Sequence, residues 1–233
     1  MELLEFIDAD VIELTGNHEM DWGRASFEFT LSMYNDKRIQ YFAGGMNLEE
    51  ARVPLLIEDH GNKLAFIGCN YPGPPNVWAT STLSGNAACE DYGWIKNEIS
   101  RLSGEGYLVI VGVQHTEFYA LTFTPKQQSD FLPLIDAGAV IVSGSQAHYP
   151  NPFAFENGRF VHYGLGNLFF DQMDSYSVPG IQREFIDRHI FYDGRHISTE
   201  VLTAYLEDFS RPRPMTSDER SRFLSEVFAA SGW

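Results

Sequence analysis

The sequence predicts an α/β fold in which a parallel sheet adjoins a more antiparallel part. In the first part of the chain, short apolar runs alternate with segments of helical periodicity. This alternation is typical of βαβ units, whose parallel strands are apolar because helices cover both faces of the sheet. After residue 150, β-type runs come in pairs around Asn157-Gly158 and Asp193-Gly194, which are typical hairpin turns.

The first elements are predicted from apolar spacing. Residues 10–14 form a short apolar run that ends in a Thr-Gly-Asn turn, which indicates a strand. Residues 24–36 have helical spacing, because Phe27, Leu31 and Tyr34 fall on one face.

The middle of the chain contains a hairpin, a long loop and a βα unit. Residues 54–58 and 63–69 flank a polar turn and predict the hairpin. Residues 70–88 are rich in Gly, Pro, Asn and Ser, and a loop of this length in a compact domain is usually functional or mobile. Residues 91–104 predict a helix, and residues 107–113 predict a fully buried strand.

The next helix is marked at both ends. Thr124 is its predicted N-cap, Pro125 its first helical residue, and Gly138 ends it. The remaining predicted strands are 140–143, 153–156, 159–163, 184–192 and 196–206.

We expect one large domain over residues 1–210 and a short C-terminal part over residues 211–233. The Pro-punctuated residues at the start of that part, 211–214, predict a linker. Thr216 and Glu219 then form a capping-box pattern, which predicts a last helix.

Composition and charge exclude several classes of protein. Lys plus Arg is 16 and Asp plus Glu is 32, so the formal net charge is −16. Duplex nucleic acid requires clustered basic residues, which are absent, and an anionic membrane surface would repel the chain. The longest strongly apolar stretch, residues 107–113, is far short of the ~20 residues that span a bilayer. Acidic residues stand near the start where a secretory signal needs basic ones, so the sequence predicts a cytoplasmic protein.

The chain has two cysteines, Cys69 and Cys89. Two are too few for a disulfide framework of the kind found in small secreted domains. We expect both to be buried and reduced, with a single bridge between them as the alternative.

Polar side chains follow four of the predicted strands. Ligands of open α/β sheets bind beyond the carboxyl ends of the strands, so these side chains are candidate site residues. In chain order they are Asn17 and His18, His115 and Glu117, Gln146 and His148, and Asn167 and Asp171. Because the carboxyl ends of parallel strands meet at one edge of a sheet, we expect these groups to line one pocket.

Three of the seven histidines, His18, His115 and His148, lie at these strand ends. Imidazole, carboxylate and amide oxygen together suit a divalent ion such as Zn²⁺ or Mn²⁺. For any one histidine, a hydrogen-bonded loop residue is the simpler interpretation. Three at successive strand ends favour a shared site.

Four segments around these residues resemble motifs of the CapA-type capsule-synthesis family, which is associated with poly-γ-glutamate. Residues 16–23, Gly-Asn-His-Glu-Met-Asp-Trp-Gly, resemble its Asn-Asn-His-Ala-x-Asp-Tyr-Gly motif. Residues 115–119 resemble His-Trp-Gly-x-Glu-Tyr with one residue fewer, and residues 144–148 lie where the family has Gly-His-His-Pro-His. Residues 163–172 resemble Tyr-Ser-Leu-Gly-Asn-Phe-x-Phe-Asp-Gln, so the match covers about residues 11–172.

That family is similar in turn to the calcineurin-like metallophosphatases, whose Gly-Asn-His-Glu motif stands at residues 16–19. The resemblance implies a metallophosphatase-like α/β/β/α sandwich with mixed sheets and a bound divalent metal (Mn, Zn or Fe). It implies His18 as a general acid. The metal ligands it implies are Asn17, His115 and His148. Gln146 is a further candidate ligand, and the residues expected to bind substrate are Glu117, Asn167 and Asp171.

The sequence departs from the family pattern in two places. Ser145 and Gln146 replace two histidines of the third motif. The Gly-Asp strand that opens the family domain and supplies a metal-binding carboxylate is not found, so we expect the fold to lack its first strand. A free strand edge or gap should then lie beside residues 11–14, where a second copy of the chain could cover it.

Two functions are consistent with these features. The first is a metal-dependent hydrolase of the metallophosphatase type, linked to capsule or poly-γ-glutamate synthesis and acting on a small-molecule or polymer substrate. The alternative is a non-catalytic module in cell-surface polymer assembly that keeps a vestigial metal site. Bound metal separates the two hypotheses, because two ions favour the enzyme and none favours the module.

Overall fold

The computed structural model describes residues 2–170, 178–208 and 210–233. Apart from a short 3₁₀ turn at Pro75–Val77, its helices are α1 (Glu2–Phe6), α2 (Arg24–Lys37), α3 (Leu48–Ala51), α4 (Gly93–Gly104), α5 (Pro125–Ala137) and α6 (Ser217–Ala230).

The strands form two layers and, apart from these, a two-stranded pair of β3 with β6. In chain order they are β1 (Val11–Glu13), β2 (Gln40–Phe42), β3 (Gly44–Gly45), β4 (Leu55–Asp59), β5 (Asn62–Asn70), β6 (Gly85–Asn86), β7 (Leu108–Phe118), β8 (Ile141–Ala147), β9 (Phe153–Glu156), β10 (Arg159–His162), β11 (Arg183–Tyr192), β12 (Arg195–Glu207) and β13 (Arg211–Pro214).

The central layer is a six-stranded mixed sheet with the order β4-β5-β7-β8-β10-β9. The four inner strands, β5, β7, β8 and β10, run parallel, and the hairpin partners β4 and β9 pair antiparallel at the two edges. The predicted α/β architecture is therefore confirmed, including the hairpins at residues 54–69 and 153–163.

Helices α4 and α5 cover one face of this sheet. Ile95 and Ile99 of α4 and Phe131 of α5 pack on the alternating valines of β7, and these side chains are fully buried. The predicted cap of α5 is confirmed, since Thr124 and Gln127 form a reciprocal capping box.

The second layer covers the other face of the sheet. It consists of the parallel pair β1–β2, on which α2 packs, and the antiparallel sheet β11-β12-β13. Phe42 of β2 meets Phe66 of β5 with ring centroids 5.9 Å apart. Asp187 of β11 accepts a hydrogen bond from the buried His162 of β10 at 2.7 Å, so both parts of this layer contact the central sheet.

Strand β1 pairs only with β2 within the described residues. Its other side opens onto a cavity of about 460 Å³ between the two layers. Ile110 and Ile141 line the cavity on the side of the central sheet. The carboxyl groups of Glu13 and Asp187 line it from the second layer. A free edge beside residues 11–14 is thus present, as the sequence predicts.

The structure corrects two predicted boundaries in the central sheet. Strand β7 continues past the predicted end at residue 113 to Phe118, and β8 continues past residue 143 to Ala147. His115, Glu117 and Gln146 therefore lie within strands and do not follow them. Both strands extend because each finds a partner along this stretch, a contact that local apolarity does not reveal.

Residues 211–214 are not a linker, as the sequence predicted, but the edge strand β13. They pair antiparallel with β12, from Ala204↔Pro214 to Glu207↔Arg211. Two prolines are tolerated because an edge strand has one side without ladder hydrogen bonds. The C-terminal residues are therefore integrated into the fold.

The prediction of reduced cysteines is wrong. Cys69 and Cys89 form a disulfide that closes the Asn70–Ala88 loop, with Cα atoms 4.9 Å apart. Both residues are completely buried in the core under α4. The bridge depends on how the loop folds back, which the spacing of two cysteines does not show.

The C-terminal helix begins at the predicted capping box of Thr216 and Glu219. Its buried Phe223 stacks on Phe185 of β11, with ring centroids 4.7 Å apart, and Val227 is buried beside it. Among the described helices, none is both long and apolar enough to cross a membrane.

Replacing the buried ring of α6 tests whether the C-terminal residues belong to the main core. We expect Phe223→Ala to lower the free energy of unfolding by about 3–5 kcal/mol, because it leaves a ring-sized cavity between α6 and β11. Phe29→Ala, at a side chain on α2 that is 70% exposed, should change stability little. Urea unfolding measures both, and a Phe223→Ala loss no larger than that of Phe29→Ala would contradict the assignment.

Candidate active site

Three neighbouring parallel strands carry their carboxyl ends to the same edge of the central sheet. These are β7, β8 and β10, which lead to the segments of His115, His148 and Asn167. The end of β1 reaches the same edge from the second layer, because the backbone N–H of Asn17 donates to Oε1 of the buried Gln114 at 2.6 Å. The four strand ends meet at one edge, but β1 belongs to the second layer and not to the same parallel sheet. That Asn17, His115 and His148 line one pocket stays a prediction.

An irregularity in the β7–β8 pairing lies at this edge. Gln114 pairs with Ser145 and Phe118 with Ala147, so residues 115–117 of β7 face Gln146 alone. Gln146 has a φ of 75°, a left-handed conformation that a non-glycine residue rarely adopts. Bulges of this kind re-aim side chains and are frequent next to active sites.

Two buried asparagines hold the turn between β1 and Asn17. Nδ2 of Asn70 donates to the carbonyl of Thr15 at 2.7 Å, and Nδ2 of Asn86 donates to the carbonyl of Gly16 at 2.9 Å. Both asparagines come from the Asn70–Ala88 loop. Sequence reasoning missed them and Gln114. The available signal was that Asn70 ends a strand parallel to β7, at the same edge.

His18 lies on the surface of this turn, with its side chain 73% exposed. Its Nδ1 is 2.8 Å from Oδ2 of Asp21, three residues later in the same motif. The carboxylate fixes the ring orientation and leaves the opposite side of the imidazole directed away from Asp21.

His115 lies on the helix-covered face of the sheet, on the opposite face from Gln114. It is completely buried, stacks on Tyr71 with ring centroids 4.9 Å apart, and donates from Nε2 to Oδ2 of Asp130 in α5 at 2.9 Å. Burial lowers the pKa of His115, although Asp130 opposes this, so the ring is neutral at pH 7. Its Nδ1 is buried and has no hydrogen-bond partner within the described part of the chain.

Asp130 is itself held by a cation. Burial works to raise the pKa of this carboxyl, but hydrogen bonds from Lys126 and His115 outweigh it and lower the pKa overall. The ammonium of Lys126 also lies 4.8 Å from the Tyr71 ring centroid. The carboxylate that orients His115 is therefore kept ionised.

His148 and Asn167 form a second group of contacts at the edge. Nδ1 of His148 donates to Oδ1 of Asn167 at 2.8 Å, and Nδ2 of Asn167 donates to the carbonyls of His148 and Ile181, each at 3.2 Å. The ring of His148 stacks on Tyr119, whose hydroxyl donates to Glu117. The structure thus brings Glu117, His148 and Asn167 together.

The remaining candidates are placed less closely. Gln146 is half-buried at the irregularity opposite His115, and Asp171 lies outside the described residues. Within residues 2–170, 178–208 and 210–233, no three or more His, Cys, Asp or Glu side chains are grouped so that they could hold a metal ion.

Strand β11 fixes the turn that carries Asn167. The backbone N–H of Phe185 donates to the carbonyl of Leu165 at 2.8 Å, and Glu184 bridges to Gly166. Glu184 is 1% exposed, and neither of its carboxyl oxygens has a hydrogen-bond partner among the residues that the structure describes. Burial raises the pKa of Glu184 to about 7.

Sequence comparison identifies related proteins. The family described as "Bacterial capsule synthesis protein PGA_cap" matches residues 1–172. The capsule biosynthesis protein CapA of Bacillus anthracis is 25% identical over 211 residues, 89% of this chain and 50% of that protein. The PGA biosynthesis protein CapA of Bacillus subtilis (strain 168) is 24% identical over 173 residues, 74% of this chain and 45% of that protein. The chain spans about half the length of these relatives.

Among solved structures, the chain is similar to the sulfate thiohydrolase SoxB of Thermus thermophilus. The TM-score is 0.57 with 12% sequence identity, and the match covers 99% of this chain and 39% of that one. At this identity the likeness concerns the fold alone. The fold is the metallophosphatase-like α/β arrangement that the sequence predicts.

The pH dependence of stability tests the burial of Glu184. Its carboxyl keeps a proton in the native state between pH 4.5 and about 7, whereas the unfolded chain loses it, so this group lowers stability as pH rises through that window. We therefore compare the free energy of unfolding of Glu184→Gln with that of the unchanged protein. We expect this difference to favour the variant by about 2–3 kcal/mol more at pH 8 than at pH 5.

Urea unfolding at both pH values measures this difference. Glu200→Gln, at an exposed position of β12 paired with Arg188, is the control and should show no such gap. Parallel pH profiles for Glu184→Gln and the unchanged protein would rule out a buried, unpartnered carboxyl.

Proposed function

Because the chain belongs to the bacterial capsule synthesis protein family PGA_cap, we propose that it is a metal-dependent hydrolase of the metallophosphatase type that acts in capsule polymer synthesis. The observation that carries the proposal is the buried imidazole of His115. Asp130 orients the ring through Nε2, and Nδ1 has no hydrogen-bond partner among the described residues.

The donor set fits a divalent ion of the Mn²⁺, Zn²⁺ or Fe²⁺ type. A metal-binding histidine usually donates its other N–H to a carboxylate, which fixes the ring, and His115 has this arrangement with Asp130. A neutral imidazole and amide oxygens suit borderline ions. The proposed ligands are Asn17, His115, Gln146 and His148. When bound, the ion supplies Lewis-acid polarisation of the substrate.

His18 is proposed as the general acid. It is exposed beside Asn17, and Asp21 holds its Nδ1, so the other ring nitrogen is available to pass a proton to a leaving group.

We assign Asn167 to hold His148, since both ends of its amide are used in contacts with His148 and Ile181. Substrate contact is proposed for Glu117 and for Asp171. By analogy with the names of its relatives, the substrate is a component of an anionic capsule polymer or of its assembly.

An oxidising compartment is the proposed location. Disulfides form and persist in such compartments and are rare in the cytosol. The Cys69–Cys89 bond supports this location over the cytoplasmic one that the sequence predicts.

The alternative is a non-catalytic module of polymer assembly. It is favoured by Ser145 and Gln146 at positions where the family motif has histidines, and by the lack of any group of three His, Cys, Asp or Glu ligands among the described residues. A chain with a net charge of −16 would hold a polyanion only through bridging cations.

The first test combines metal content with hydrolysis. We expect the purified chain to retain Mn²⁺, measured by inductively coupled plasma mass spectrometry, and to hydrolyse p-nitrophenyl phosphate or its diester in a metal-dependent way. His18→Ala should lower turnover by ~10²–10⁴-fold with metal content unchanged, because a general acid is lost and no ligand is.

His60→Ala is the matched control. His60 is also surface-exposed and also paired to a nearby carboxylate, Asp59 at 2.7 Å, but it lies at the β4–β5 turn. It should leave turnover unchanged. A chain that neither binds Mn²⁺ nor hydrolyses these esters would favour the module, and full activity in His18→Ala would remove the catalytic role.

The second test concerns the orientation of His115. Asp130→Asn should weaken Mn²⁺ binding by ~10–100-fold, because the partner that orients the ligand is impaired. Asp187→Asn is the control, since Asp187 makes the same kind of buried contact with a different histidine, His162. Isothermal titration with Mn²⁺ compares the two, and equal affinities would exclude His115 as a ligand.

A further inference from the structure

We propose that the Cys69–Cys89 disulfide is a positioning element of the candidate site. The bond joins Cys69, near the end of β5, to Cys89, which directly follows the Asn70–Ala88 loop. The residues directly inside this closed loop, and not its exposed middle, make the contacts that hold the site. The argument about metal affinity rests on the proposed function, whereas the argument about positioning does not.

The loop holds the first motif from one side. Asn70 and Asn86, one residue and three residues inward from the two cysteines, donate to the carbonyls of Thr15 and Gly16. Both asparagines are completely buried. These carbonyls immediately precede Asn17 and His18, so their position determines where those two side chains begin.

The same loop end reaches the other side of the sheet. The backbone N–H of Tyr71 donates to the carbonyl of Gln114 at 2.9 Å, and the Tyr71 ring stacks on His115. Gln114 in turn accepts the hydrogen bond of Asn17. Residues 70 and 71 therefore touch both halves of the site, and Cys69 is covalently fixed just before them.

Backbone hydrogen bonds also join the two ends of the Asn70–Ala88 loop. The N–H of Asn70 donates to the carbonyl of Ala87 at 2.8 Å, and the N–H of Cys89 donates to the carbonyl of Asn70 at 2.9 Å. These hydrogen bonds alone would open with the loop, whereas the covalent bond keeps both ends in register. Closing the loop also removes conformations from the unfolded chain, so the ordered loop costs less entropy to form.

The middle of the loop is attached separately to α2. Arg24 donates to the carbonyls of Asn76, at 2.9 Å, and of Ser84, and the hydroxyl of Ser84 donates to Glu28 at 2.8 Å. Helix α2 follows the first motif directly in the chain. The loop is thus tied to the motif through Asn70 and Asn86 and to α2 through Arg24 and Glu28, and the disulfide joins the two ends of the loop covalently.

The disulfide is protected from reduction in the folded protein. Both sulfurs belong to completely buried residues, so a reductant reaches them only when the loop opens. Formation requires a disulfide oxidant: the two thiols release two protons and two electrons, and the oxidant's own disulfide is reduced to two thiols. The finished site therefore depends on oxidation during maturation.

Hydrogen exchange in the Cys69→Ser/Cys89→Ser variant tests the positioning role without reference to metal. We expect amides in residues 14–23, including that of Asn17, to exchange at least ~10-fold faster than in the unchanged protein, while peptides from β11–β12 keep their rates. Mass spectrometry of pepsin fragments measures both regions. Unchanged rates in residues 14–23, or equal acceleration in both regions, would overturn the proposal.

A second variant covers the case in which the cysteine variant does not fold. Asn86→Ala keeps the disulfide but removes the contact to Gly16, and it should accelerate exchange in residues 14–23 alone. Asn62→Ala is its matched control, because Asn62 is also a buried asparagine that holds backbone groups, those of Asp59 and Gly194, away from the site. Equal effects of the two variants on residues 14–23 would overturn the proposal.

Metal titration supplies the link to function. Where the unchanged protein binds Mn²⁺, the cysteine variant should bind it ~10–100-fold more weakly, as expected when ligand orientation is lost. Equal Mn²⁺ affinity in the cysteine variant would contradict the positioning role. An unchanged protein that binds no Mn²⁺ refutes the proposed function instead, and the exchange measurement still decides on positioning.

Discussion

The hydrogen bond from the backbone of Asn17 to the side chain of Gln114 joins the two sheets at the edge where the candidate site lies. Gln114 is buried in β7, an inner strand of the central sheet, and pairs with Ser145 of the next strand. Its position is therefore set by the pairing of β7 with β8. Without this acceptor, a backbone N–H would lose its partner at a cost of about 1–3 kcal/mol. The order of Asn17, His18 and the start of α2 depends on this contact.

Two adjacent residues of β7 serve opposite faces of the sheet. Successive side chains of a strand point to opposite sides, so Gln114 reaches the second layer and His115 reaches the helices. The irregular pairing opposite Gln146 begins directly after Gln114 in the chain. One strand end thereby connects the exposed motif of His18 with the buried pair of His115 and Asp130.

A buried histidine paired with an aspartate is not in itself a functional feature here. His162 and Asp187 form such a pair at 2.7 Å, between the two layers. Each has one further polar atom that finds no hydrogen-bond partner in the described ranges, as His115 does. What distinguishes His115 is its place in the irregular β7–β8 pairing near the carboxyl end of β7. Position in the topology, and not the pair, carries the functional argument.

The sequence by itself determined the order of helices and strands, the capped starts of α5 and α6, and the edge at which the polar residues gather. These depend on local periodicity, capping residues and the rule that parallel strands end together. Only the tertiary structure decided that β7 and β8 extend through His115 and Gln146, that residues 211–214 are a strand, and that Cys69 bonds to Cys89. Each of these depends on a partner distant in sequence. A side chain's direction depends on where its strand ends, so the burial of His115 against Asp130 could not be read from the order of residues alone.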